Sequence, residues 1–157
     1  MSLRQKFLSF NLGTKGIAVI ALQNITEILQ VSLTEICCIP QMHSSVFGTY
    51  NWRGNMLWLV NLEEMLGYIP LQKEVNLLSK MIAIVVNNED KYLGLLVRQI
   101  MDIEQLDANN LKPTNSELFS PDISHLLHGY FINDREEMII NLNANAILQS
   151  PMWDIHN

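Results

Sequence analysis

The sequence predicts a mainly β fold in which two small barrels share one core, and three observations point there. Most apolar runs are only four to six residues long, rich in Ile and Val and bounded by turn residues, the pattern of strands rather than long helices. Two stretches about eighty residues apart carry the same turn, strand and helix signals in the same order, as two similar units would. The 157 residues suffice for one such body, burying about 70% of the surface of the unfolded chain.

The elements follow along the chain. A first strand is expected over 7–12, and Gly13-Thr14-Lys15-Gly16 turns it into a second over 17–22. Strands over 46–52 and 56–60 flank Arg53-Gly54-Asn55, where the glycine supplies the positive φ that a tight hairpin needs. Asn61 with Glu64 three residues later forms a helix-start signal, and Gly67 is placed to end that helix. Strands over 81–86 and 92–97 enclose the polar turn 87–91. Residues 112–128, with Pro113 and Pro121, read as a long connection holding a helical turn around 123–127. A last hairpin joins 130–132 to 137–140 through 133–136, and a second short helix is expected over 143–149.

The repeat rests on spacing. Pro40 precedes Gly48 by eight residues, as Pro121 precedes Gly129. After each glycine a hairpin leads to a strand that closes with Asn-Leu, Asn61-Leu62 in one case and Asn141-Leu142 in the other. Upstream, Gly16-Ile17-Ala18-Val19 corresponds to Gly94-Leu95-Leu96-Val97. The whole of 1–157 is expected to act as one unit, with a tail from about residue 150.

Composition narrows function. Ten basic against sixteen acidic side chains give a net charge of −6, which disfavours nucleic acid and anionic lipid. The longest apolar runs, 17–22 and 81–86, are far short of the roughly 20 residues a membrane span needs, and the first residues lack a signal-peptide core. Only 17% of residues are charged against 48% hydrophobic, which leaves apolar surface for a partner. Cys37 and Cys38 are adjacent, lack a Cys-x-x-Cys partner, and fit a buried strand as small apolar residues. His125 and His128 could share a helix face, and His43 follows the cysteines, but no zinc spacing results. The carboxylate pairs Glu63-Glu64, Glu89-Asp90 and Glu136-Glu137 fall at a helix start or in turns, as solvated groups. Phe47, Tyr50, Trp52 and Trp58 read as packing around a hairpin. No phosphate loop or nucleophile motif occurs, and neither an enzyme nor a cofactor is implied.

One segment stands apart: a polar turn with Arg53 at its tip, set between very apolar strands. From Gly48 through Asn51, Arg53 and Gly54 to Asn61-Leu62 it resembles the signature of the CheW family of chemotaxis coupling proteins. Ile25-Thr26-Glu27-Ile28 is similar to the family's Val-x-Glu-Ile strand, Pro40 to its proline, and Gly94-Leu95-Leu96-Val97 with Ile100 and Ile103 to its second half. His128-Gly129-Tyr130 and the stretch 138–142 extend the likeness over roughly 3–150. The resemblance implies two intertwined five-stranded SH3-like barrels with short helices, and a non-catalytic adaptor. Its implied partners are the cytoplasmic tip of a chemoreceptor and the regulatory domain of a CheA-type histidine kinase, met in the cytoplasm at membrane-associated receptor arrays without membrane insertion. It also implies a receptor groove between the two barrels, with Glu27, Ile28, Arg53 and Gly54 contributing and Glu27 paired to Arg53. Gly48, Asn51 and Gly54 would hold the hairpin that aims Arg53. Two positions depart from the family pattern: Asn61 stands where Asp is usual, and Arg98 where Asp is favoured. The alternatives are the same scaffold in pilus-driven twitching or another non-flagellar pathway, and an unrelated small-ligand barrel.

Overall fold

The computed structural model describes residues 4–39, 45–68 and 80–150. Pro40, His43, Trp153 and His156, and with them the expected tail, lie outside the described residues. Within them the chain runs β1 (Arg4–Leu12), β2 (Gly16–Ala21), β3 (Ile25–Ser32), β4 (Ile36–Cys37), β5 (Val46–Trp52), β6 (Asn55–Asn61), α1 (Leu62–Met65), β7 (Lys80–Asn88), β8 (Lys91–Val97), β9 (Ile100–Asp107), α2 (Pro121–Ser124), β10 (Leu127–Ile132), β11 (Met138–Leu142) and α3 (Ala144–Leu148). Short 3-10 turns at Leu22–Asn24, Leu33–Glu35 and Ala108–Asn110 join some of them.

Two curled sheets result, one ordered β10-β11-β2-β1-β9 and the other β3-β7-β8-β6-β5-β4. The two halves of the repeat are intertwined because each sheet takes strands from both, β1 and β2 joining β9 to β11 and β3 to β6 joining β7 and β8. β3 follows β2 in the chain but pairs with β7, and β9 follows β8 but pairs with β1. Each sheet also contains one parallel pair, β2 with β11 and β8 with β6, as expected of two similar units. The second sheet has a sixth strand, the two-residue β4, beyond the five expected.

The short apolar runs do not alternate because both faces of their strands are buried. Along β7, Ile84 and Val86 enter a central cluster while Ala83 and Val85 enter the interior of the second barrel. Along β2, Ala18 and Ile20 join the same central cluster while Val19 fills the first barrel with Phe7, Phe131 and Ile139. The central cluster is thus one core lying between the sheets.

The repeated glycines have a packing reason. Each sits where the register slips, Gly48 on β5 and Gly129 on β10. A Cβ on Gly48 would lie 2.5 Å from the Cys37 carbonyl oxygen, and one on Gly129 would strike the Lys112 carbonyl. Asn61 and Asn143 cap α1 and α3, accepting from the N–H groups of Glu64 (3.2 Å) and Ala146 (3.0 Å). Gly67 takes φ +80° after α1, as its expected stop position requires. The match of the upstream strands shifts by one residue: Asn141 pairs with Val19 and Asn61 with Leu96, which sets Ile17, not Gly16, opposite Gly94 in the repeat.

Candidate partner-binding site

The expected Glu27–Arg53 pair forms at one end of the second sheet. The β5–β6 hairpin closes in two residues rather than three, with Arg53 at φ 54° and Gly54 at φ 80° between the paired Trp52 and Asn55. That is a type I′ turn, matched to the twist of its strands. It lifts the Arg53 side chain toward β3, where Nη2 donates to Glu27 Oε1 at 2.8 Å. The same carboxylate oxygen accepts from the indole Nε1 of Trp52 at 3.0 Å. Trp52 is buried, and its ring lies 4.7 Å beneath the Arg53 guanidinium and 5.1 Å from the Tyr92 ring. The arginine is therefore steered by one carboxylate and one aromatic face, while 61% of its side chain remains open. A pair this exposed adds about 0–1 kcal/mol to stability, so its value lies in placing a charge.

A cavity of about 430 Å³ opens beside the pair, lined by Trp52, Arg53, Met56, Asp90 and Tyr92 among others. Met56 (64% exposed) and Tyr92 (44%) put apolar surface around the cation. Glu27, Arg53 and Gly54 thus come together. Ile28 does not join them: the next residue on a strand points to the other face, where it is 46% exposed. Gly48 lies buried at its register slip, and Asn51 is exposed opposite Met56. A separate cleft of about 640 Å³ is lined by Gly13 and Thr14 from the first sheet's turn and by Met81 and Arg98 from the second sheet's side. Neither Glu27 nor Arg53 lines it.

Three further expectations change. Glu63, taken for a solvated carboxylate, is buried at 6% exposure. Its Oε2 accepts from Gly13 N–H at 2.7 Å and pairs with Arg98 Nε, joining the first sheet's turn to the end of β8. The Arg98 guanidinium is held above its ordinary pKa by that hydrogen bond, and burial, then the Glu63 charge, raises the Tyr68 phenol. Arg98 therefore has an internal partner, which accounts for the departure at that position. Cys37 and Cys38 are exposed rather than buried, because β4 is a two-residue edge strand that turns only Ile36 inward. His125 ends α2 while His128 sits on β10, so they share no helix, and no cluster of metal-ligating side chains occurs among the described residues.

The family model for the CheW-like domain matches residues 6–152. The chain belongs to the CheW-like domain family. These domains are non-catalytic chemotaxis scaffolds and adaptors. Among solved structures the chain is similar to the scaffolding protein TtCheW from Thermoanaerobacter tengcongensis, with a TM-score of 0.76 at 18% identity over 99% of this chain and 95% of that one. At that identity the likeness speaks for the fold. No curated protein matches the chain. No helix among the described residues is long and apolar enough to cross a membrane.

Proposed function

We propose that this CheW-like chain is a cytoplasmic coupling scaffold, joining the cytoplasmic tips of chemoreceptors in membrane-associated arrays to the regulatory domain of a CheA-type histidine kinase. The receptor surface in this reading comprises Glu27 and Ile28 of β3 together with Arg53 and Gly54 of the hairpin held by Gly48 and Asn51. The observation that carries it is the shared Glu27 oxygen, which fixes an exposed arginine over Trp52 beside open Met56 and Tyr92. A fixed cation within an apolar patch suits a helical partner that brings a carboxylate or helix C-terminus, since little side-chain freedom is left to lose on binding. β3 is a sheet edge, so a helix laid along it reaches Glu27 on one face and Ile28 on the other.

Calorimetric titration of the purified chain with a receptor tip fragment and with the kinase regulatory domain tests this. Arg53→Glu should keep the fold and the kinase interaction while weakening receptor binding about tenfold or more, the scale of a lost charge contact in an interface. A folded Arg53→Glu variant that binds the receptor like the parent would remove these residues from the receptor surface. Failure of the parent chain to bind any regulatory domain from its own organism would overturn the coupling role.

A further inference from the structure

We infer that a pocket at one end of the barrel formed by β1, β2, β10 and β11 is a binding site for a small, uncharged, planar aromatic molecule carrying one N–H or O–H donor. A cavity of about 280 Å³ lies there, lined by Phe7, Ala21, Phe131, Asn141 and His128 and roofed by Gln23 and Asn24 of the 3-10 turn. Its size lies between the roughly 150 Å³ that holds benzene and the roughly 300 Å³ at which drug-sized pockets begin, which suits one or two fused rings. Phe7 and Phe131 meet edge to face at 5.8 Å, an arrangement that a third ring can extend. Among the described residues no carboxylate, lysine or arginine lines the cavity, so a charged ligand would find no counter-ion there.

The donor requirement comes from Asn141. It is 5% exposed, and its Oδ1 has no hydrogen-bond partner among the described residues. It stands two residues after Ile139 on β11 and shares that residue's face, turned into the barrel. A buried amide oxygen left unpaired is costly, so such groups ordinarily have an assigned partner. Its counterpart in the repeat, Asn61, has one, because it caps α1. In the second unit that duty has moved two residues on, to Asn143, which caps α3. Asn141 keeps its acceptor without the structural task that occupies Asn61, and it lines the cavity. The roof over the cavity is the turn Leu22–Asn24 that carries the chain into β3, three residues before Glu27, so an occupant would touch the segment leading to the partner site.

The probe is indole titrated into the full-length chain by calorimetry and followed by NMR, with 1-methylindole as the analogue lacking the donor. Saturable one-to-one binding of indole is expected, with 1-methylindole about tenfold weaker, the factor of one hydrogen bond. Asn141→Leu should bring indole down to the level of 1-methylindole while leaving the latter unchanged. Equal affinity for the two probes in the parent chain overturns the role of Asn141, and no binding of either overturns the site. Should Asn141→Leu not fold, Ala21→Met fills the cavity from the neighbouring strand β2 and should abolish binding of both. A folded Ala21→Met variant that binds indole like the parent, or shifts confined to exposed Met101 and Ile103, refutes the location.

Discussion

The Glu63–Arg98 pair permits a quantitative test, because the structure gives the carboxylate's surroundings in full. Arg98→Met removes the guanidinium and keeps most of the apolar stem. Glu63, 6% exposed, is then left with the Gly13 N–H at 2.7 Å in place of a cation. Breaking a buried ion pair from one side costs about 3–5 kcal/mol. Arg98 retains 22% of its side-chain exposure, so water already screens the pair in part and about 2–3 kcal/mol is expected. For a chain of this length that corresponds to a fall in Tm of about 5–10 °C. Glu63→Gln combined with Arg98→Met keeps an acceptor for Gly13 and removes both charges, and should lie within about 1 kcal/mol of the parent. Urea unfolding of the parent, the two single variants and the double variant closes the cycle, with a coupling of about 2 kcal/mol. A loss below about 0.5 kcal/mol for Arg98→Met, or a coupling near zero, would class this as a screened surface pair and refute the reasoning. The Tyr68 phenol supplies an independent reading. Burial and the Glu63 charge both hold it above its ordinary value, so it should titrate at lower pH once Glu63 is Gln.

Three other outcomes follow from the same geometry. Gly48→Ala should cost about 2–3 kcal/mol in urea unfolding, as an overpacked core site does, because its Cβ meets the Cys37 carbonyl oxygen at 2.5 Å. Gly54→Ala has nothing within 4 Å and only the strain of φ +80°, about 1 kcal/mol, so the two alanine variants should rank in that order. Glu27→Leu leaves the Trp52 indole N–H without its acceptor and should shift Trp fluorescence while costing about 1–3 kcal/mol; an unchanged emission spectrum would show that the hydrogen bond does not form in solution. His128 is exposed on β10, yet partial desolvation by its neighbours holds its pKa below the ordinary value, so the unfolded chain takes up that proton first as pH falls. Stability should therefore be lost as pH drops below about 6.5 toward the folded pKa, and His128→Gln should flatten that part of the curve.

What was legible in the sequence follows from how each element is buried. Strands such as β2 and β7, covered on both faces, leave unbroken apolar runs and were readable from pattern alone. β9 was not, because Ile100–Asp107 lies at a sheet edge and breaks its apolar residues with Asp102, Glu104, Gln105 and Asp107 in no regular alternation. β3 came into view only through the resemblance of Ile25-Thr26-Glu27-Ile28, for the same reason. At the site, the Gly54 turn and the Glu27–Arg53 pairing were anticipated, but Trp52 as second donor to Glu27 was not, since it was read as hairpin packing. Glu63 was misread because a carboxylate in the first turn of a capped helix is usually solvated. Only the arrival of Gly13 and Arg98 from distant parts of the chain buries it. A basic residue at 98 was the available signal, and it pointed to a partner of opposite charge without saying which.

The way the chain crosses between the sheets also sets how far the two ends of the molecule can act independently. It passes from the first sheet to the second between β2 and β3 and returns between β8 and β9, so the sheets cannot part without straining both connections. The central cluster draws Leu8 and Phe10 from the first sheet and Ile84 and Leu95 from the second, and Glu63 spans the same junction with hydrogen bonds. Loosening that junction should therefore lower the stability of both barrels together, and hydrogen exchange in Arg98→Met should quicken in β1 as well as in β8. Selective loss of protection in β8 alone would mean that the barrels open separately despite their shared core. Their coupling would then rest on Glu63 and Arg98 rather than on the topology.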